Sequence, residues 1–116
     1  MAETLLPQGV AVNPVNGLRV RLGGNVETLA GTKTLVPQDA QFQALDPDGS
    51  HRNVDLPAEE ASQGLFFFIK NTAGGAENLV VRNDAAATKE TLGQGKWGIF
   101  FCEGTDWESM GVLSHA

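Results

Sequence analysis

The sequence is poor in the residues that most often carry out chemistry in proteins: it has one cysteine, two histidines and no tyrosine. A single cysteine excludes an internal disulfide framework, so nothing in the chain requires an oxidising compartment. Cys102 ends an apolar run, and no partnering base is evident nearby in the sequence. We therefore predict that Cys102 is a small buried side chain and not a nucleophile.

Metal-binding patterns are also missing. One internal histidine, His51, together with one cysteine does not provide a zinc set. The segment that begins at Asp46 starts like a calcium loop, but Pro47 interrupts it and Pro57 stands where a bidentate glutamate is needed. We predict a plain turn at this point, no metal and no cofactor.

Motifs for catalysis are equally scarce. Glu59 and Glu60 are adjacent, so their carboxyl groups project in different directions and do not face one bond. No glycine-rich loop runs into a Lys-Ser or Lys-Thr pair, so a phosphate-binding loop has no support. We expect no catalytic residues, and we predict that the protein is not an enzyme.

Basic residues are outnumbered, 8 against 14 acidic ones, which gives a formal net charge of −6. Proteins that bind duplex nucleic acid need a basic face to replace phosphate counterions, so we expect no nucleic-acid partner. No apolar run approaches the roughly 20 residues that span a bilayer, and Glu3 stands where a secretory signal would carry a base. We expect no membrane partner and folding in the cytoplasm.

The 116 residues include 14 glycines and 5 prolines, which divide the chain into short runs of strand-forming residues. About eight to ten short strands and one short helical segment over 57–63 fit this pattern. The spacing predicts an all-β fold, a small antiparallel β-sandwich or barrel of the jelly-roll kind. We assign an extended N-terminal arm or first strand to residues 1–25 and a single β-sandwich domain to residues 26–116.

The most informative stretch runs from Gly64 to Arg82. Leu65 to Ile69 is continuously apolar, so both faces of this strand need cover, as they do in the centre of a sheet or at a subunit contact. A Gly-Gly pair separates it from a second strand, Leu79 to Val81. We predict that the two strands form a hairpin.

Two aromatic runs, Phe66-Phe67-Phe68 and Ile99-Phe100-Phe101, send large side chains to both faces of their strands, because adjacent strand residues point in opposite directions. A two-layer sandwich has one inner face per sheet, so some rings remain outside. Contiguous apolar surface usually marks an interface. We therefore predict a homo-oligomer with a subunit interface at these candidates: Phe66, Phe68, Phe100 and Phe101.

Two further features have alternative interpretations. Trp107 follows a polar turn, so it either caps the core or offers a platform to a sugar ring. Leu18 to Leu22 alternates apolar and basic residues and holds two of the four arginines. This segment is either an ordinary first strand with a frayed end or an arm that adds to a neighbouring subunit.

The order of structural residues resembles a pattern in small virion proteins of tailed bacteriophages. It comprises a turn with Asp48-Gly49 leading to Leu56-Pro57, then Gly64-Leu65-Phe66-Phe67-Phe68, then Leu92-Gly93 and finally Gly104-Thr105-Asp106-Trp107. Glu103 replaces the aspartate that usually opens the last motif. The resemblance covers about residues 32 to 110, and it is to capsid decoration (cement) proteins or related fibre and tail modules.

The resemblance implies a β-rich protein, usually trimeric, that sits on the outside of the phage head. Its N-terminal arm would grip the major capsid protein, and the virion would be its location. On this basis the arm residues expected to bind the capsid are Val10, Val12, Leu18, Arg19, Val20, Arg21 and Leu22. The alternative is a fibre or tail module that binds host-surface glycans through Trp107 and the acidic turns.

Overall fold

The computed structural model describes residues 4–5, 10–13, 15 and 17–114 of the chain. They form twelve strands: β1 (Thr4–Leu5), β2 (Val10–Asn13), β3 (Gly17–Val20), β4 (Gly24–Thr28), β5 (Lys33–Thr34), β6 (Phe42–Asp46), β7 (Arg52–Asp55), β8 (Phe66–Asn71), β9 (Leu79–Arg82), β10 (Thr88–Leu92), β11 (Lys96–Cys102) and β12 (Trp107–Ser114). The predicted helical segment is reduced to one turn of 3₁₀ helix at Glu59–Ala61. The prediction of an all-β chain with almost no helix is confirmed.

Most of these strands belong to two mixed sheets. The larger has five strands in the order β12-β11-β8-β6-β4, and the smaller has four in the order β10-β9-β7-β5. Pairings β4 with β6, β6 with β8, β5 with β7, and β7 with β9 are parallel. The prediction of an antiparallel fold is therefore wrong for these four pairings.

The parallel pairings follow from the path of the chain. From β4 to β9 the strands alternate between the two sheets, so neighbours within a sheet are separated by a strand of the other one. Parallel neighbours need a crossover connection, and here the crossover is itself a strand of the opposite sheet. Within these two sheets, every antiparallel pairing involves one of the last three strands: β10 pairs with β9, and β11 pairs with β8 and β12.

The predicted hairpin between β8 and β9 is wrong, because the two strands lie in different sheets. The intervening residues, 72–78, cross from one sheet to the other. Asn71, which is fully buried, holds this crossing together. Its Nδ2 donates to the carbonyl oxygens of Glu77 at 2.8 Å and Leu92 at 2.9 Å, and its Oδ1 accepts from the Ala73 N–H at 2.8 Å. The expectation that β8 is central is confirmed, since it is the middle strand of five.

A single hydrophobic core joins the two sheets. Both contribute fully buried side chains, and Trp107 at the start of β12 is the largest of them. Because one face of each sheet points into this shared core, the other face of each is turned outwards. The core residues are Leu29, Leu35, Leu45, Val54, Leu56, Phe67, Ile69, Leu79, Val81, Leu92, Phe100, Cys102 and Trp107.

The first three strands form a small antiparallel sheet of their own, in the order β1-β2-β3. Its register sets Thr4 opposite Val12 and Val10 opposite Val20. None of the three strands pairs with either larger sheet within the described residues. The chain here folds back on itself instead of running as one extended strand, and the domain boundary at residue 25 stays a prediction.

No helix in the described part of the chain is long and apolar enough to cross a membrane.

Candidate functional site

The two sheets differ sharply in the side chains on their outward faces. In the five-stranded sheet, the register of β8 and β11 determines which rings point outwards. Phe67 lies opposite Phe100, and both rings are fully buried in the core. Because strand side chains alternate, Phe66 and Phe68 on β8 must point to the other side. The same applies to Phe101, which lies opposite Phe66 and is 38% exposed.

Large apolar side chains cover the outer side of the five-stranded sheet. Phe68 is the centre: it lies opposite Ile99 on β11 and opposite Phe42 on β6. The Phe68 ring is 5.7 Å from the Phe66 ring in an edge-to-face contact. We define the aromatic face as the outward side chains Phe42, Phe66, Phe68, Trp97, Ile99 and Phe101.

Three exposed apolar residues extend the aromatic face to the edge strands. Val26 on β4 is 83% exposed, and Met110 and Leu113 on β12 are 68% and 45% exposed. Leu113 lies opposite Trp97, while Met110 and Gly111 together oppose Ile99 in a bulge. Gly111 has φ +112°, a backbone conformation that favours glycine, and this lets β12 absorb the extra residue.

The outer side of the four-stranded sheet is polar. Its centre is an ion pair between β7 and β9, in which Arg82 Nε and Nη2 donate to the Asp55 carboxylate at 2.7 and 2.9 Å. Hydrogen bonding to Asp55 raises the pKa of the Arg82 guanidinium. Asn53 and Thr91 flank Val80 on this side. A sheet that faces water normally has such a polar side, so the aromatic face is the exception.

The aromatic face and the three residues that extend it form a large apolar surface. With accessible areas of about 150–250 Å² for a large side chain, the exposed fractions of Phe42, Phe101, Val26, Met110 and Leu113 give roughly 500 Å² of apolar surface on this side of the sheet. That lies in the upper part of the range of about 300–600 Å² for the largest apolar patch on a typical monomer, and such patches are often functional. Side-chain chemistry at this face supports contact with another apolar surface.

The predicted interface residues fall on two different sides. Phe66, Phe68 and Phe101 all lie on the aromatic face, and their role in a subunit contact stays a prediction. Phe100 is fully buried within the core of the same subunit, so its assignment to an interface is wrong. Phe100 and Phe101 are adjacent in one strand, and the two side chains must point to opposite sides.

Sequence reasoning missed much of the aromatic face. Trp97 and Ile99 complete it on β11, and Phe42 completes it on β6. The Trp97 ring lies 6.4 Å from the Phe68 ring. The signal was present in the sequence, because Trp97, Ile99 and Phe101 are spaced by two, as residues on one face of a strand are.

Trp107 is fully buried, so it offers no ring face to a sugar and the predicted ligand platform is wrong. Its ring packs 5.8 Å from the Phe67 ring, and its Nε1 donates to the Pro57 carbonyl oxygen at 2.8 Å. Trp107 therefore caps the core, the other interpretation of its sequence context. Cys102 is also fully buried, as predicted, and burial raises the pKa of its thiol.

The two candidate metal positions have structural roles in turns. His51 is exposed, and its Nδ1 accepts from the Asn78 N–H at 2.9 Å. The Asp46 carboxylate accepts from the Asp48 N–H at 2.9 Å, where the chain takes a left-handed turn at Asp48 and Gly49. Within the described residues, no group of three or more His, Cys, Asp or Glu side chains is placed to hold a metal ion.

The predicted capsid-binding segment lies in the small sheet and just after it. Main-chain pairing sets Val10 opposite Val20, Val12 opposite Leu18 and Ala11 opposite Arg19. Val20 and Leu22 are 60% and 37% exposed, and Arg21 between them is also exposed. Together with 37–41 and Leu65, residues 20–23 line an open groove. These three side chains are available to a partner.

A scan against models of known protein families found no match to this chain, and a search of curated proteins found none either.

Proposed function

We propose that the protein is a non-enzymatic structural protein of a phage virion. It binds the outside of the capsid and stabilises it by bridging subunits of the major capsid protein. The observation that carries the proposal is the aromatic face, which provides surface for protein contacts on one side of a body whose other side is polar. The family proposed rests on the resemblance over residues 32 to 110.

The finer architecture belongs to this proposal. The two sheets act as a sandwich that stacks on other copies through the aromatic face, giving a homo-oligomer. The N-terminal residues act as the grip on the major capsid protein. Val20, Arg21 and Leu22 support this assignment, since they combine apolar side chains with a positive charge in a chain of net charge −6.

Stabilisation of the shell follows from mass action. A protein that binds the assembled capsid and not its dissociated subunits stabilises the assembled state by an amount that grows with its free concentration. Several copies linked through the aromatic face would bind together, and this raises the effective concentration of each grip. No catalytic step is needed for such a role.

The glycan-binding alternative loses its tryptophan platform, because Trp107 is fully buried, and only the acidic turns remain to support it. One experiment tests both the proposed position on the head and the alternative position in a fibre or tail. Virions from the strain that encodes the chain are banded in a density gradient, then separated into heads and tails and quantified by mass spectrometry. We expect many copies on each head. Recovery with tails alone, or only in the soluble fraction, would contradict the proposal.

The grip can be tested in the full chain. Arg21→Glu reverses an exposed charge in the segment and is expected to reduce binding to heads that lack the protein. Lys96→Glu makes the same charge change at an exposed position on β11 and serves as the matched control. Equal binding by the two variants would show that this segment does not contact the capsid.

A further inference from the structure

Few charged residues lie on or around the aromatic face, and the pairing register of the strands determines where they lie. Lys70 on β8 lies opposite Trp97, which in turn lies opposite Leu113. Four residues along the strands, Phe66 lies opposite Phe101, and Phe101 lies opposite Glu108. One end of the face therefore carries a lysine and the other a glutamate, separated by about 13 Å along the strands at 3.3 Å per residue and by two strand positions across the sheet, since β11 lies between β8 and β12.

Both side chains are free to meet a partner. Among the described residues, neither Lys70 nor Glu108 takes part in an ion pair, since the pairs there join Lys33 to Glu27, Arg82 to Asp55, and Lys89 to Asp106. Asp46 also points to this side, two residues beyond Ala44, but its carboxylate is engaged by the Asp48 N–H. Between the two ends the face is uncharged.

We propose that the aromatic face binds a second copy of itself, in a two-fold pair that sets Lys70 of each copy beside Glu108 of the other. The axis passes near Ile99, in the row between the two charged ends. This inference rests on the contact role proposed above for the face, and it names the partner as another copy of the same chain.

The area of the apolar surface favours a second copy of the chain as the partner. A standard interface buries about 800 Å² on each partner, and the aromatic face together with Val26, Met110 and Leu113 supplies roughly 500 Å² of apolar surface before its polar rim is counted. Aromatic residues and methionine are also the types enriched in the centres of interfaces.

Charge favours the same occupant. Two copies of a chain with net charge −6 repel each other unless they meet on a nearly neutral surface, and this face is such a surface. A nucleic acid is a poor candidate for the partner, because the aromatic face carries one lysine, Lys70, to pair with its phosphates. A single self-complementary patch closes at two copies through a two-fold axis. The pair therefore differs from the trimer that the family resemblance implies.

Sedimentation equilibrium of the full chain tests the proposal. We expect the wild-type protein to be dimeric at micromolar concentration. Phe68→Ser is expected to weaken the dimer by about 100-fold or more, because it removes the central ring. Val80→Ser, on the outer side of the other sheet, is the matched control and should stay dimeric. A wild-type monomer at 100 µM or a trimer would overturn the inference.

Charge exchange tests the orientation. Lys70→Glu is expected to weaken the dimer about tenfold or more, because two like-charge contacts replace two attractive ones. Glu108→Lys should do the same. The double variant, Lys70→Glu with Glu108→Lys, should recover most of the wild-type affinity. If it does not, the two residues are not partners and the proposed pairing is wrong.

This inference and the proposed function fail separately. A protein that is monomeric but is recovered on phage heads would disprove the two-fold pair and keep the virion role. A dimer that never appears on heads would keep the pair and disprove the virion role. A monomer whose aromatic face binds lipid vesicles would also overturn the pair.

Discussion

The Phe68 ring lies 6.4 Å from the Trp97 ring on the outer side of the five-stranded sheet, with Phe42 as its other strand neighbour. The residue just before it, Phe67, packs against Trp107 inside the core. One step along the backbone thus separates a residue that stabilises the fold from one on the aromatic face, where we propose that a partner binds.

Phe67→Ala should destabilise the fold far more than Phe68→Ala. The first substitution leaves a cavity in the core and is expected to cost about 3–5 kcal/mol of unfolding free energy. The second removes a half-buried ring, and in dilute solution its cost should be no more than about half of that. Urea unfolding at sub-micromolar concentration measures both. Equal losses would place Phe68 in the core.

The two tryptophans should report separately on the core and on the aromatic face. In Trp97→Phe the remaining Trp107 should emit at short wavelength and resist acrylamide quenching, because it is fully buried. In Trp107→Phe the remaining Trp97 should be quenched in dilute solution and become protected as the protein concentration rises. Concentration-independent quenching of Trp97 would mean that this part of the face stays uncovered.

Asn71→Ala should destabilise the protein by about 3 kcal/mol or more, because three hydrogen bonds that hold the crossing between the sheets lose their side chain. Thr72→Ala, at the next and exposed position, is the control and should change stability by less than about 0.5 kcal/mol. Chemical unfolding at pH 7 compares the two variants. Similar stabilities would show that the main chain alone maintains the crossing.

Asp106 should make part of the stability depend on pH. Hydrogen bonds from Lys89, Asn83 and the Trp107 N–H lower the pKa of its carboxyl to about 2, from an ordinary value of 3.8. A folded-state pKa below the unfolded one means that its contribution is present above about pH 4 and is lost as the pH falls towards 2.

Asp106→Asn should therefore flatten the fall in stability between about pH 4 and 2. Lys89→Met should weaken the same dependence by a smaller amount, because Asn83 and the Trp107 N–H still bond the carboxylate. Urea midpoints at pH 7, 4, 3 and 2 give the comparison. An unchanged slope in Asp106→Asn would assign the acid sensitivity to other carboxylates.

Much of the local structure was predictable from the sequence. Short runs of strand-forming residues between glycines and prolines were sufficient to predict an all-β chain. The apolar run from Leu65 to Ile69 identified the central strand, and the end of the β11 run identified Cys102 as buried. These predictions succeeded because they depend on residues that are close together in the chain.

The pairing of strands was decided by the tertiary structure alone. β8 and β9 look like a hairpin in sequence, yet they lie in different sheets, because the partner of a strand is set by long-range packing that propensity does not encode. The side on which each ring lies depends on that pairing. Phe100 thus entered the core while Phe101 stayed outside, and Trp107 closed the core instead of facing a ligand.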